Sequence, residues 1–229
     1  IPICNAVLED SDTDLADTLM EALGAAIGRA IDKAILFGTG VKMPLGIATR
    51  LAQETAPRDY PTTARPWVDL HTSNIKNVAG TGATLFVNLT KATAAAKGKY
   101  SNGEKFWAMN SATKLKLIAE ALSFNASGAI VTSVNDTMPV IGGDIVVIDD
   151  IADDTIIGGY GDEYLLAERA GTTIAQSEHV RFIEDQTVIK GTARYDGQPA
   201  IAEGFVVIGL GVAPTTTATF ATDKANTEG

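Results

Sequence analysis

Acidic side chains at short spacing are the first place to look for chemistry in this 229-residue chain. Asp10, Asp12, Asp14 and Glu21 fall on positions 1, 3, 5 and 12 of a calcium loop, where alternating carboxylates converge on a hard cation. Position 6 is Leu15, which cannot make the sharp turn that glycine makes there. The same acids suit the positive end of a helix dipole, so they read as a helix start rather than a metal site. Asp149, Asp150, Asp153 and Asp154 form a second acidic group with no histidine beside it. That group carries the rival hypothesis from another class, an α+β small-molecule enzyme or binding protein built on 149–154. Gly38 to Gly46 has the glycine content of a phosphate loop. However, Met43, Pro44 and Leu45 stand where Gly, Lys and Ser or Thr are needed, and the stretch follows a helix instead of opening one. His71 and His179 lie far apart, Cys4 has no histidine close in sequence, and no G-x-S-x-G elbow occurs. No catalytic, cofactor-binding or metal-ligating residue is therefore assigned.

The elements that would position such residues are organised around Ser11 to Ile47. Ser11 is a good N-cap, with Asp14 in capping-box position. Leu15, Leu19, Leu23, Ile27, Ile31 and Ile35, with alanines between them, wind over about half the circumference of a helix. Gly38 and Gly40 end it and Pro44 forbids its resumption, which gives a spine over 11–37. Gly24 and Gly28 sit one turn apart within it. Each costs roughly 1 kcal/mol relative to alanine, so another backbone, from this chain or a neighbour, is expected to come close there.

Before the spine, Ile1 to Ile3 read as a short strand confined to an edge by Pro2, with Cys4 a small apolar strand residue. After it, 50–73 carries three prolines and no periodicity. A loop of that length is a functional excursion or a crossing between subdomains. Helical spacing marks 83–96, and Phe106, Trp107 and Met109 make a strand leading into a helix capped by Asn110 or Ser111. The β-branched run Ile145 to Ile148 predicts a strand buried on both faces. Beyond Thr155 short strands are expected at 155–158, 163–167, 172–176, 180–183 and 187–195. Asp196-Gly197 is expected to turn, and 205–208 to form a last buried strand. The Thr- and Ala-rich run 213–229 predicts a mobile tail.

A net charge of −10 with scattered basic residues excludes a surface that neutralises phosphates along DNA. One cysteine excludes a disulfide framework, and no apolar run approaches 18 residues, so no membrane span is expected. Arg169, Glu178, Arg181, Glu184, Arg194 and Asp196 alternate in sign along the late strands. They are either a solvated face or an ion-paired subunit contact.

Five segments, in this order, resemble the major capsid protein family of tailed bacteriophages and prophages with the HK97-like fold. They are Ala30 to Gly40 leading to Pro44-Leu45-Gly46-Ile47; Phe106-Trp107-Ala108-Met109-Asn110; Gly142-Gly143-Asp144; Tyr164-Leu165-Leu166-Ala167-Glu168-Arg169; and Arg194 to Pro199 before Glu203-Gly204-Phe205. The resemblance implies an α+β fold in which the spine helix packs on antiparallel strands in a P domain (1–56 and 162–200). A mixed α/β A domain (57–161 and 201–212) is inserted, and 213–229 is a flexible tail. It implies a non-enzymatic subunit that self-assembles into pentamers and hexamers of an icosahedral shell enclosing phage DNA, with no cofactor. Its partners would be copies of itself, other head proteins such as portal or scaffold, and packaged DNA held only non-specifically, with no membrane. It would sit in the virion capsid, after assembly in the host cytoplasm. Gly24, Gly28 and the six late-strand charges become candidate assembly or packing contacts. An encapsulin-like cargo compartment is the alternative within the same fold. The family's N-terminal arm and E-loop precede the spine helix, so a chain beginning inside a strand at Ile1 is read as a trimmed fragment.

Overall fold

The computed structural model describes residues 1–9, 15–125 and 142–220. Strand β1 (Pro2–Cys4) leads through a short helix α1 (Asn5–Glu9) to the spine, α2 (Leu15–Phe37), 23 residues and roughly 35 Å long. The Ser11 cap and the Asp10, Asp12 and Asp14 acids lie outside the described residues.

The chain then turns tightly and resumes as α3 (Ile47–Ala52). α2 does end at Gly38, but Pro44 does not prevent a helix from resuming, because Gly46 starts one at once: its N–H donates to the Gly38 carbonyl at 2.8 Å and its carbonyl accepts from Arg50 N–H at 2.9 Å. The proline-rich excursion ends in a single turn, α4 (His71–Asn74), which runs into strand β2 (Ile75–Val78). Helix α5 (Gly82–Thr93), strand β3 (Lys105–Met109) and helix α6 (Ser111–Asn125) follow as expected. Asn110 is the α6 cap, its Oδ1 accepting from Thr113 N–H at 2.8 Å.

Strands β4 (Asp144–Val147), β5 (Thr155–Tyr160), β6 (Tyr164–Arg181), β7 (Gln186–Pro199) and β8 (Phe205–Leu210) complete two sheets. One is antiparallel with order β1-β7-β6, and the other is mixed with order β2-β8-β5-β3-β4. The mixed sheet alternates its side chains between two cores, as period two requires. Trp107, Met109, Ile156, Val206 and Ile208 face one core with α5 and Leu117 of α6. Ala108, Ile157, Phe205 and Val207 face the other with Leu36, Phe37, Ile47 and Leu51. The end of the spine is thus fixed against the mixed sheet. Farther back it crosses the antiparallel sheet: a Cβ at Gly191 of β7 would stand 2.8 Å from Leu23 and 3.1 Å from Ile27.

Several expectations are corrected. β4 is the edge of its sheet, with Val146 and Val147 part-exposed, because one neighbouring strand pairs with it instead of two. The strands expected at 163–167 and 172–176, with the start of 180–183, merge into the single 18-residue β6, which absorbs the interruptions as register shifts near Glu168, Ala170 and Ser177. Asp196-Gly197 lies inside the β6–β7 ladder opposite Ala167 and Leu166. Glycine is needed there for close approach, since a Cβ would stand 2.8 Å from the Leu165 carbonyl and 3.0 Å from the Tyr164 ring. The reversal occurs instead at 182–185, where Asp185 takes the left-handed conformation at φ 50°. Cys4 is in a strand but exposed.

The first part of the expected mobile tail lies on the fold. Thr215 N–H donates to Thr155 Oγ1 at 3.3 Å, Ala218 and Phe220 pack against the second core, and the Lys33 ammonium stands 5.6 Å from the Phe220 ring centre. These residues strap the mixed sheet to the spine. The expectation for the rest of the tail lies outside the described residues.

Candidate assembly surface

The two sheets join where the chain leaves β5 for β6 and returns from β7 to β8. The Glu163 carbonyl accepts from Ala200 N–H at 2.9 Å and from Ile201 N–H at 3.3 Å, closing the base of the hairpin. The turn after the spine is clamped onto that base: Leu45 N–H donates to the Gly197 carbonyl at 2.7 Å and the Tyr164 hydroxyl to the Leu45 carbonyl at 3.1 Å. Burial, reinforced by Asp196, pushes the Tyr164 phenol up to about 12, so it stays a neutral donor. The spine, its turn and the long hairpin therefore form one lever rooted in the mixed sheet.

The proline-rich excursion packs against the same joint. The Arg50 guanidinium lies 3.6 Å from the Trp67 ring centre, Tyr60 meets Trp67 edge-on at 5.3 Å, and Arg65 pairs with Glu203 at 2.7 Å. Buried Asn74 donates to the Ala95, Glu203 and Phe205 carbonyls at 3.2, 3.3 and 2.7 Å. A cleft of about 180 Å³ remains between Tyr60, Trp67 and Pro199. Arg50 is held by desolvation below its ordinary value and spends one donor on the Val68 carbonyl at 3.3 Å.

Inside the joint, Glu163 is almost fully buried, and among the described residues neither carboxyl oxygen makes a well-formed hydrogen bond, the nearby Tyr100 backbone being too poorly aligned. Burial pushes its carboxyl above the ordinary carboxylate range; Asp162 and Glu203 add to this, while the Tyr100 backbone and Arg65 oppose it. A group that holds its proton more tightly when folded contributes stability below its unfolded pKa of 4.5 and loses it as pH rises through the folded value. Glu163→Gln should therefore flatten the pH dependence of melting. The wild type should fall progressively below the variant as the pH rises from 4.5 through the folded value, and the gap should level off above it. Parallel melting curves across that range would show that Glu163 is ionised without penalty.

The expected contact residues are spread along the lever. Arg169, Glu178, Arg194 and Asp196 are exposed on the hairpin, and Arg169 falls at a register shift, beside Glu168. Arg181 and Glu184 come together, 3.0 Å apart at the tip. Asp196 accepts its neighbour's Gly197 N–H at 2.8 Å. A Cβ at Gly24 or Gly28 would meet nothing within 4 Å, so the approach expected there is not made by this chain's own described residues. The close crossing falls on Gly191 instead, a strand glycine the helical pattern gave no reason to single out.

The acids near 149–154 are dispersed into separate pairs: Asp150 with Lys33 at 2.9 Å, Asp153 with Asn110, and Asp154 with Lys116 at 2.6 Å. Among the described residues no group of three or more His, Cys, Asp or Glu is placed to hold a metal ion, and no helix is long and apolar enough to cross a membrane.

The sequence profile of the phage capsid family matches residues 1–209. The chain belongs to the phage capsid family. Solved structures agree at the level of fold for this capsid protein. The capsid of an empty GTA particle is similar with a TM-score of 0.65 and 19% identity, over 93% of this chain and 71% of that one. Mycobacterium phage Adephagia gives 0.64 and 14%, over 94% and 71%. The satellite phage P4 procapsid, including its size determination protein, gives 0.57 and 11%, over 92% and 68%. No curated protein is significantly similar in sequence. The α+β HK97-like fold expected from the sequence is borne out. The capsid protein is a structural protein by family and fold, a self-assembling component of a virion shell.

Proposed function

We propose that this capsid protein is the principal subunit of an icosahedral phage head, gathered as pentamers and hexamers. The mixed-sheet part, 57–161 and 201–212, would surround the capsomer axis as the A domain. The lever formed by 1–56 and 162–200 would reach outward to other copies as the P domain. Family membership over nearly the whole described length carries this reading, and a long rooted hairpin suits a subunit that must touch several neighbours at once.

Gly24 and Gly28 would seat a neighbour's backbone on the open side of the spine. Arg169, Glu178, Arg181, Glu184, Arg194 and Asp196 would pair across subunit boundaries, each a modest gain that the closed lattice multiplies. An acidic subunit is compatible with packaged DNA because confinement needs geometry, not base contacts. Portal or scaffold proteins would meet the same shell, and assembly would take place in the host cytoplasm.

Negative-stain microscopy of the full-length product tests the reading. Capsomers or shells are expected, whereas a uniform monomer at every concentration would sink it.

A further inference from the structure

The chain holds one Asn-Gly pair, Asn102-Gly103, on the loop that leads from α5 to β3. Such a pair can react with itself. The backbone nitrogen after an asparagine can add to that asparagine's own side-chain carbonyl, and glycine leaves the nitrogen unshielded because it has no Cβ. Whether the reaction proceeds depends on how freely the two groups can meet.

The loop is placed so that one carboxylate governs that meeting. Lys97 N–H donates to the Glu203 carbonyl at 2.8 Å, which fixes the start of the loop at the joint between the two sheets. Its far side is latched by Asp162, on the short turn between β5 and β6: the Ser101 hydroxyl donates to the two Asp162 carboxyl oxygens at 2.6 and 2.8 Å. The Gly103 N–H, which must lose its proton for the reaction to start, is shared between Asp162 Oδ2 at 3.2 Å and Ser101 Oγ at 3.0 Å. A Cβ at Gly103 would stand 3.0 Å from Asp162 Oδ2, so the glycine also lets the latch close. The Asn102 side chain, by contrast, is exposed and makes no hydrogen bond with a described residue. The electrophile is free and the nucleophile is tied to an acid.

The closed latch holds the reaction back in two ways. The adjacent carboxylate opposes the negative charge that a deprotonated amide would carry. The bonds at Ser101 and Gly103 also fix the backbone on both sides of Asn102, which keeps the nitrogen from swinging toward the side chain. Local opening of the loop removes both restraints together.

We infer that Asn102 is a site of self-modification gated by Asp162, and that its conversion to a carboxylate unlatches the loop. The Gly103 nitrogen gives its proton to solvent and bonds to Asn102 Cγ, the Cγ–Nδ2 bond breaks, and the side-chain nitrogen leaves as ammonia. Water then opens the cyclic imide to aspartate or isoaspartate, so water is the sole co-reactant and nothing is oxidised or reduced. The product sets a new negative charge between two residues bonded to Asp162, where like charges repel. The inference stands apart from the shell-subunit reading, and either can fail without the other.

The test holds the purified protein in mildly alkaline buffer beside a synthetic peptide of residues 99–105, which has no latch. Mass spectrometry of digests follows aspartate and isoaspartate at position 102. The protein should convert roughly tenfold more slowly than the peptide, and Asp162→Ala should bring it to within about threefold of the peptide rate. Ser101→Ala removes one arm of the latch and keeps Asp162, so its rate should fall between the two; it carries the comparison if Asp162→Ala loses its folded circular dichroism spectrum. Asn102→Asp, which supplies the product charge directly, should speed hydrogen exchange at the Gly103 amide and leave the β8 amides unchanged. No product at 102 after about ten half-lives of the peptide would overturn the inference, as would a rate indifferent to both latch variants. Unchanged Gly103 exchange in Asn102→Asp would remove the unlatching.

Discussion

Gly46→Ala should destabilise the capsid protein by about 3 kcal/mol or more, lowering its melting temperature by roughly 6–12 °C, although it adds one methyl group. The Gly46 backbone, at φ −73° and ψ 151°, is ordinary for any residue, so conformational strain is not the cause. The space is already taken: a Cβ would stand 2.4 Å from Gly38 N, 2.5 Å from Phe37 N and 2.6 Å from Phe37 C. All three are backbone atoms in or beside the last turn of α2 and cannot rotate away. Relief requires parting α3 from the spine. That would break the Gly46 to Gly38 hydrogen bond and the one from the Thr49 hydroxyl to the Phe37 carbonyl at 2.9 Å. It would also open the second core at Phe37, Ile47 and Leu51, each nearly inaccessible. Gly24→Ala is the control of opposite sign. With nothing within 4 Å of its Cβ, it should gain about 1 kcal/mol of helix propensity in the dissociated chain. Urea titration of both variants checks the pair, and similar midpoints would show that the turn adjusts freely.

The legible and illegible parts of the fold divide along one physical line. Local signals were read well: the α2 periodicity and its glycine stop, the Asn110 cap of α6, and the apolar β8 all depend on residues within a few positions of one another. Signals set by distant partners were misread. Ile145 to Ile148 has the composition of a buried strand, but composition does not say how many neighbours pair with it, and β4 is an edge. Asp196-Gly197 has turn chemistry, yet its glycine answers to the Tyr164 ring across the ladder. Gly191 likewise answers to Leu23 and Ile27, over 160 residues earlier. On the surface, the alternating charges of the late strands are visible in the sequence, but 180–183 reads as strand although the tip begins at 182. Nothing in a window of Val, Phe and Ile shows that these side chains point into solvent. Glu163 carries no mark in the sequence for the same reason, because burial of one acid among several is a property of the joint and not of its neighbours in sequence.

The largest fully buried side chain among the described residues belongs to the mixed sheet. Trp107 is fully buried in the first core, and two glycines are shaped around it. A Cβ on Gly158 would stand 2.4 Å from its ring, and one on Gly143 2.7 Å from Nε1. The indole N–H donates to the Gly142 carbonyl at 2.8 Å, tying the approach to β4 onto β3. Trp107→Ala should therefore cost about 3–5 kcal/mol, because flanking glycines have no side chains with which to refill the cavity. That is a large fraction of the roughly 5–15 kcal/mol that holds a typical domain together. Trp107→Phe keeps most of the apolar volume but orphans the Gly142 carbonyl, and should cost about 1–3 kcal/mol. Denaturant titrations give both values, and hydrogen exchange locates the second: Trp107→Phe should expose the β4 amides before those of β5 and β8. Equal protection across the three strands would mean that the indole bond does not hold the edge. Shell assembly should follow the same order, since an edge strand that detaches presents unpaired backbone to other copies and diverts subunits into aggregates before they can close a lattice.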